Sequence, residues 1–393
     1  MKDMKHTSIK KPILSLLYII LAAFSVSCIE DFNPDLGEAD SNILVINGNI
    51  CSDTVCYFNL SRSFGINDNV FNDPDKLRIN NAKIKITGTD GSEWMGYNVA
   101  KGEYRVKTGK LKSDVMYSLE VELGDVTFTS EPAYPLDSPE IEEAMCAQPR
   151  ADMIVDVMVT DAPATDETPH YYRWTYEETW EVQAYYQAYF EYNPKYDKIF
   201  PITVYKGRGW QYAKYTSIII ANSSNFENNR IKNFRINKIS NSDLRMQTLY
   251  CCDIKQYAMT QAQYEYEQAR LELSDNMGGM FAPQPSELAT NIKASDKNHR
   301  AIGYVGVYGK VGTYRLWISR SDVEYDNIFY KNVKTLSEGD EDFALTDADK
   351  YKKGYRVNDT YEPFMSPWHW SPAFTVDVTT FGASLERPDF WPN

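Results

Sequence analysis

From residue 43 onward, apolar and polar positions alternate in short runs that predict β-strands. The first runs are 43–46 and 55–60. A turn-rich loop follows at 66–75, and then 82–87 (Ala-Lys-Ile-Lys-Ile-Thr) alternates with period two. That pattern sets one face in a core and the other in water. Asp90-Gly91 turns the chain, and 102–106, 117–121 and 126–130 read as three more strands. Strands at this spacing, with turn signals between them, predict an immunoglobulin-like β-sandwich over 43–135. Pro132, Pro135 and Pro139 mark its end.

The remainder, 136–393, predicts a larger β-rich domain with one long helix, so the fold class is mainly β. Strands are expected at 153–159 and 171–176, and a strand pair at 301–307 and 313–319 around Gly309-Lys310-Val311-Gly312. The helix is expected near 260–277. Thr260 can cap it with Gln263 at the third helical position, as in a capping box, and Gly278-Gly279 can stop it. Tyr264, Glu267, Leu271 and Ser274 fall on one helical face.

The beginning of the chain has a different pattern. Lys2, Lys5, Lys10 and Lys11 precede an apolar run over 12–24, too short to cross a ~30 Å hydrocarbon core as a helix. Ser25, Val26 and Ser27 lead into Cys28. A basic start, an apolar run and small residues before a cysteine predict a lipoprotein signal over 1–27 with Cys28 as the lipidated residue. Acyl chains anchor at ~0.8 kcal/mol per buried CH₂. Ser25 stands at −3, where such a signal usually has leucine. Residues 28–42 read as a polar tether.

Charge narrows the function classes. Cleavage before Cys28 would remove four lysines and one aspartate, taking the net charge from −14 to −17. So acidic a chain is a poor nucleic-acid binder. It is also repelled by anionic lipid, which leaves the acyl anchor to hold it at a membrane. Five cysteines remain beside Cys28: Cys51, Cys56, Cys146, Cys251 and Cys252. Cys51 and Cys56 bracket four residues between two expected strands, which suits a disulfide across a hairpin in an exported protein. The absence of a C-x-x-C pair argues against zinc.

Little in the chain signals catalysis. His170, His299 and His369 lie far apart, and no G-x-S-x-G, H-E-x-x-H or P-loop pattern occurs. The acid pairs Glu142-Glu143 and Glu177-Glu178 could serve a hydrolase only if folding set two carboxylates across one substrate. Calcium, a hard cation, would suit either of two acidic loops: Asp68, Asp73 and Asp75, or Asp340, Asp342, Asp347 and Asp349. No other cofactor is expected. The richest candidate is the ring-crowded stretch 171–215. In it, Trp180, Tyr185, Tyr186, Tyr189 and Trp210 are the candidate ligand or interface aromatics. Alternatively, these rings fill the second domain's core.

Several segments together carry a resemblance. They are Gly278-Gly279-Met280-Phe281-Ala282-Pro283-Gln284-Pro285 with Leu288 and Asn291-Ile292, the early Leu44-Val45-Ile46-Asn47-Gly48, Leu60-Ser61-Arg62-Ser63, Gly303-Tyr304 and Pro388-Asp389-Phe390-Trp391. With them the chain resembles the Bacteroidota outer-membrane lipoprotein family catalogued as domain of unknown function 4249. Cys28-Ile29-Glu30-Asp31-Phe32 also looks like the start of surface-exported lipoproteins of that group. The resemblance implies a lipid-anchored protein facing the cell exterior beside a TonB-dependent, SusC-like transporter, and no catalytic residues. The expected function is a non-enzymatic ligand-binding or capping accessory of such a transporter. A stand-alone adhesive or structural module, or a hydrolase with an unrecognised carboxylate pair, are the alternatives.

Overall fold

A computed structural model describes residues 43–63, 74–149, 153–161, 168–215, 217–276, 288–358 and 368–392. The predicted signal, the tether, Cys28, Asp68, Asp73 and the Gly278-to-Pro285 segment lie outside these residues. The described chain is mainly β, with one long helix. No helix among the described residues is long and apolar enough to cross a membrane.

The first unit uses β1 (Leu44–Gly48), β2 (Ile50–Cys51), β3 (Val55–Arg62), β4 (Lys83–Gly88), β5 (Glu93–Ala100), β6 (Glu103–Lys107), β7 (Tyr117–Leu123) and β8 (Val126–Ser130). Alternation sends Phe58 and Leu60 of β3, Ile84 and Ile86 of β4, and Leu119 and Val121 of β7 into one core. The two layers are halves of a single sheet. β5 pairs with β4 through Glu93, Trp94 and Met95, then with β6 from Gly96 onward. Gly96 sits at this fold because a Cβ there would lie 2.5 Å from Ile84 Cγ2 and 2.7 Å from Val106 Cγ2. Closing the sheet over its own core leaves no room for a side chain at that point.

The second unit begins with β9 (Ile141–Ala147) and β10 (Ile154–Asp161), followed by the long β11 (Tyr171–Gln183). The hairpin β12 (Phe190–Asn193) and β13 (Lys198–Pro201) then projects, and β14 (Arg208–Lys214), β15 (Ile219–Asn222), β16 (Phe234–Ser240) and β17 (Leu249–Met259) follow. A three-stranded sheet, β16-β10-β9, faces a larger one in which β14 and β15 share one edge of β11 and β17 lies on the other. Val155, Val157 and Val159 of β10 meet Tyr172, Trp174 and Tyr176 of β11 and Tyr250, Cys252 and Ile254 of β17 between the sheets.

The helix, α1 (Gln261–Asn276), falls within the predicted span. Thr260 caps it, its Oγ1 accepting from Gln263 N at 3.2 Å. The expected reciprocal arm of the capping box is replaced. The Gln263 amide reaches Asn49 Oδ1 (3.2 Å) and Tyr308 OH (2.7 Å), tying helix to first unit. Glu267, also buried, pairs with Arg173 of β11 (3.4 Å) and Arg270 (2.9 Å). The helix thus bridges the units through its polar face.

After the helix the chain returns to the first unit. β18 (Ile292–Ala294) adds to β8 at one edge of the folded sheet, and β19 (Ala301–Ile302) pairs in parallel with β1 at the other. β20 (Val307–Tyr308) pairs in parallel with β2. A division at 135/136 is therefore corrected: residues 292–308 complete the first unit, and Ile292, Val305 and Val307 belong to its core. The expected 301–307/313–319 hairpin is corrected too. β21 (Gly312–Ser319) turns away and pairs with β17 in the second unit. Pro139 O and Ser138 Oγ hold Gln256 Nε2 (3.2 Å each), so the proline-marked connection is bonded into the second core.

The last segment forms a satellite on the second unit. It contains α2 (Asp347–Lys352), β22 (Tyr355–Val357) and β23 (Trp370–Pro372). Val357 and Trp370 pack on Tyr192 of the β12–β13 hairpin. The C-terminal chain then crosses β14, where Trp210 and Ser384 exchange backbone hydrogen bonds (2.8 Å each). Gly209 permits that approach, since a Cβ there would stand 2.7 Å from Ser384 O.

Candidate functional site

Successive residues of β11 point to opposite faces, which separates the ring-rich segment into a core set and a surface set. Trp174 and Tyr176 are fully buried. Trp180 is half-buried against two core clusters, and its indole donates to Gln211 Oε1 at 3.0 Å. Trp210, 8% exposed, packs with Cys251 and Trp391. As candidate ligand rings these two tryptophans are corrected: β11 continues as a strand to Gln183, and the C-terminal segment covers the sheet beyond it.

Beyond β11 the rings face outward. Tyr185 is 50% and Tyr189 46% exposed, with Tyr186 half-buried behind Tyr185 in an edge-on contact at 4.8 Å. Tyr186 N donates to Thr375 O (2.8 Å), fixing this stretch to the satellite. The hairpin adds Tyr196 and Phe200, both exposed and edge-on at 5.9 Å. Tyr205 is exposed as well, and burial of part of its ring raises its phenol pKa. Tyr196, Phe200 and Tyr205 were missed as site residues. Asn193-Pro194-Lys195 and Asp197-Lys198 mark the turn that presents the first two. Together these residues form an aromatic rim on the projecting hairpin. Phenolic rings with polar tips can stack on a flat ligand or anchor a protein surface.

A concavity of about 320 Å³ opens between the units. Tyr57, Tyr215 and Tyr257 line it beside Arg173 and Lys214. Lys214 Nζ lies 5.9 Å from the Tyr57 ring centroid and pairs with Glu177 at 3.4 Å.

The acid pairs do not converge. Glu177 lies on the outer face with Lys214, whereas Glu178, 4% exposed, lies in the core. There it accepts from Tyr250 OH (2.6 Å), Asn237 Nδ2 (3.0 Å) and Arg245 Nη1 (3.0 Å). Burial holds the Tyr250 hydroxyl well above its usual pKa, so it remains a donor. Glu142 pairs with Arg230 on the surface of the other sheet.

Of the first calcium candidate loop only Asp75 lies within the described residues. Asp75 pairs with Lys101 at 3.1 Å. In the second loop Lys334 binds Asp340 (2.6 Å), Lys353 binds Asp342 (2.5 Å) and Lys352 approaches Asp349 (3.4 Å). Among the described residues no group of three or more His, Cys, Asp or Glu side chains could hold a metal ion.

Cys51 and Cys56 are free thiols, which corrects the expected bridge. Cys56 Sγ instead bonds the Cys51 backbone, accepting from its N (3.1 Å) and donating to its O (3.5 Å).

These features define a mainly β protein of two linked sheet units with an outward aromatic rim. The family described as Domain of unknown function (DUF4249) matches residues 29–313, and the chain belongs to that family. No curated protein matches the chain.

Proposed function

We propose that this chain is a non-enzymatic lipoprotein of the outer-membrane surface, anchored through Cys28. It serves as a ligand-binding or capping accessory of a TonB-dependent, SusC-like transporter. The observation that carries this reading is the rim of Tyr185, Tyr189, Tyr196, Phe200 and Tyr205, rings left in solvent on one projecting hairpin. Rings so exposed gain from being covered by a partner or a flat ligand. The leader pattern ending at Cys28 supports the location, and the surplus of carboxylates supports an acyl rather than electrostatic hold on the membrane.

Mild-detergent pull-down of the tagged, acylated protein from its native outer membrane tests the reading. A stoichiometric TonB-dependent barrel is expected, with at least a tenfold lower yield for the Tyr185→Ser, Tyr189→Ser, Tyr196→Ser variant. Recovery of the lipoprotein alone in several detergents would overturn the accessory role in favour of a stand-alone adhesive module.

A further inference from the structure

At the base of the projecting hairpin lies a cleft of about 160 Å³. That is room for roughly ten water molecules. Phe190, Ile202, Val204, Val357 and Val376 supply apolar lining, beside the charged Glu191, Lys206, Arg356 and Asp377. Arg356 enters this lining with its guanidinium 4.1 Å from the centroid of the Tyr351 ring, which fixes its plane. Its Nη1 donates to Tyr355 O (2.8 Å) and Tyr351 O (3.2 Å). Among the described residues neither Nε nor Nη2 of Arg356 meets an acceptor, and no carboxylate pairs with it.

The other charges at the cleft are engaged elsewhere. Lys206 and Glu191 pair with each other at 3.3 Å. Asp377 Oδ1 accepts from Thr379 N (3.0 Å) and Oγ1 (2.5 Å). The Nε/Nη2 edge of Arg356 therefore has no bonded acceptor among the described residues, at a cleft whose lining mixes apolar side chains with the Lys206–Glu191 pair and the Asp377 carboxylate. A guanidinium edge offers two parallel N–H donors, the complement of a planar carboxylate. Apolar side chains with a few placed polar groups are the usual composition of a small-molecule site.

We infer that this cleft binds a small monocarboxylate with an apolar body, its two oxygens on Nε and Nη2 of Arg356. The assignment stands on the cleft alone and does not depend on a transporter partner. Phenylacetate is a suitable probe and 2-phenylethanol its neutral counterpart. Titration of the full chain by calorimetry and ligand-detected NMR is expected to show saturable binding of phenylacetate, with the alcohol at least tenfold weaker. Arg356→Gln is expected to weaken phenylacetate at least tenfold and Arg356→Lys by less. Val204→Trp, at a half-exposed wall position, is expected to block binding without moving the melting temperature, which separates occupancy from folding. No saturable binding, equal binding of the alcohol, or binding unchanged in Arg356→Gln or Val204→Trp would overturn the assignment.

Discussion

The two sheet units bury their interiors by different means. Among the described residues the first unit's strands bury aliphatic and aromatic side chains and hydroxyls such as Ser118 and Ser130, with no carboxylate. The second unit buries Asp156, Asp161, Glu178 and Glu181 among its rings. Glu181 is answered by Arg208 Nη2 (2.7 Å) and the indole of Trp391 (3.3 Å). Hydrophobic burial is non-directional and tolerates exchange among residues of similar volume. A buried charge needs named partners at set distances, so it specifies which segments meet. The second unit must gather distant segments, and Glu181, bonded to Trp391 of the C-terminal chain, and Glu178, bonded to Asn237 and Arg245, lie at such junctions.

The largest effect is expected where such a charge is removed. Glu178→Ala would leave Arg245 and Tyr250 OH without their shared acceptor, at about 3–5 kcal/mol. Urea unfolding measures it; a loss below about 1 kcal/mol would erase the contrast between the units. Leu119→Ala in the first core is expected to cost about 2–5 kcal/mol, while Leu119→Met costs under about 1.5. If the methionine variant lost as much as alanine, the first core would depend on shape as closely as the second depends on charge.

Asp161 sharpens the comparison through pH. Burial raises its carboxyl to about 6, with Arg230 opposing, and its Oδ1 has no hydrogen-bond partner. The folded state therefore holds that proton more tightly than the unfolded chain, so stability falls as pH rises from about 4 to about 6. Asp161→Asn is expected to stabilise the protein by about 1–3 kcal/mol at pH 8 and by almost nothing below pH 4. Thermal melts across that range test it, and a benefit independent of pH would contradict the assignment. The smallest effect is expected at the rim: Tyr185→Ser and Tyr189→Ser should change stability by no more than about 0.5 kcal/mol each. A larger loss would make these rings structural.

Period-two alternation made the first unit legible: β3, β4, β6, β7 and β8 lie within a residue or two of their expected positions. The return strands were not legible, since β19 and β20 have two residues each and so carry no alternation. β17 escaped notice because one of its inward positions is the polar Gln256, which the indole of Trp174 (2.9 Å) together with Ser138 Oγ and Pro139 O makes a core residue. The candidate rings were visible as a crowd, but their division was not. Trp391 covers Trp210 from 181 positions further along the chain, and no local pattern announces such a contact. Arg356 was equally silent. Its meaning comes from the side chains that the fold gathers around it at the base of the hairpin, which no local pattern announces.

The account depends most on the rings working outside the cell on a lipid tether. The direct test feeds cells an alkyne fatty acid and follows label and protease sensitivity in intact cells, for wild type and Cys28→Ser. The account predicts label on the wild type, none on Cys28→Ser, and wild-type protein cleaved by protease added outside. Unlabelled wild-type protein, or labelled protein fully protected until the cells are broken, would contradict it.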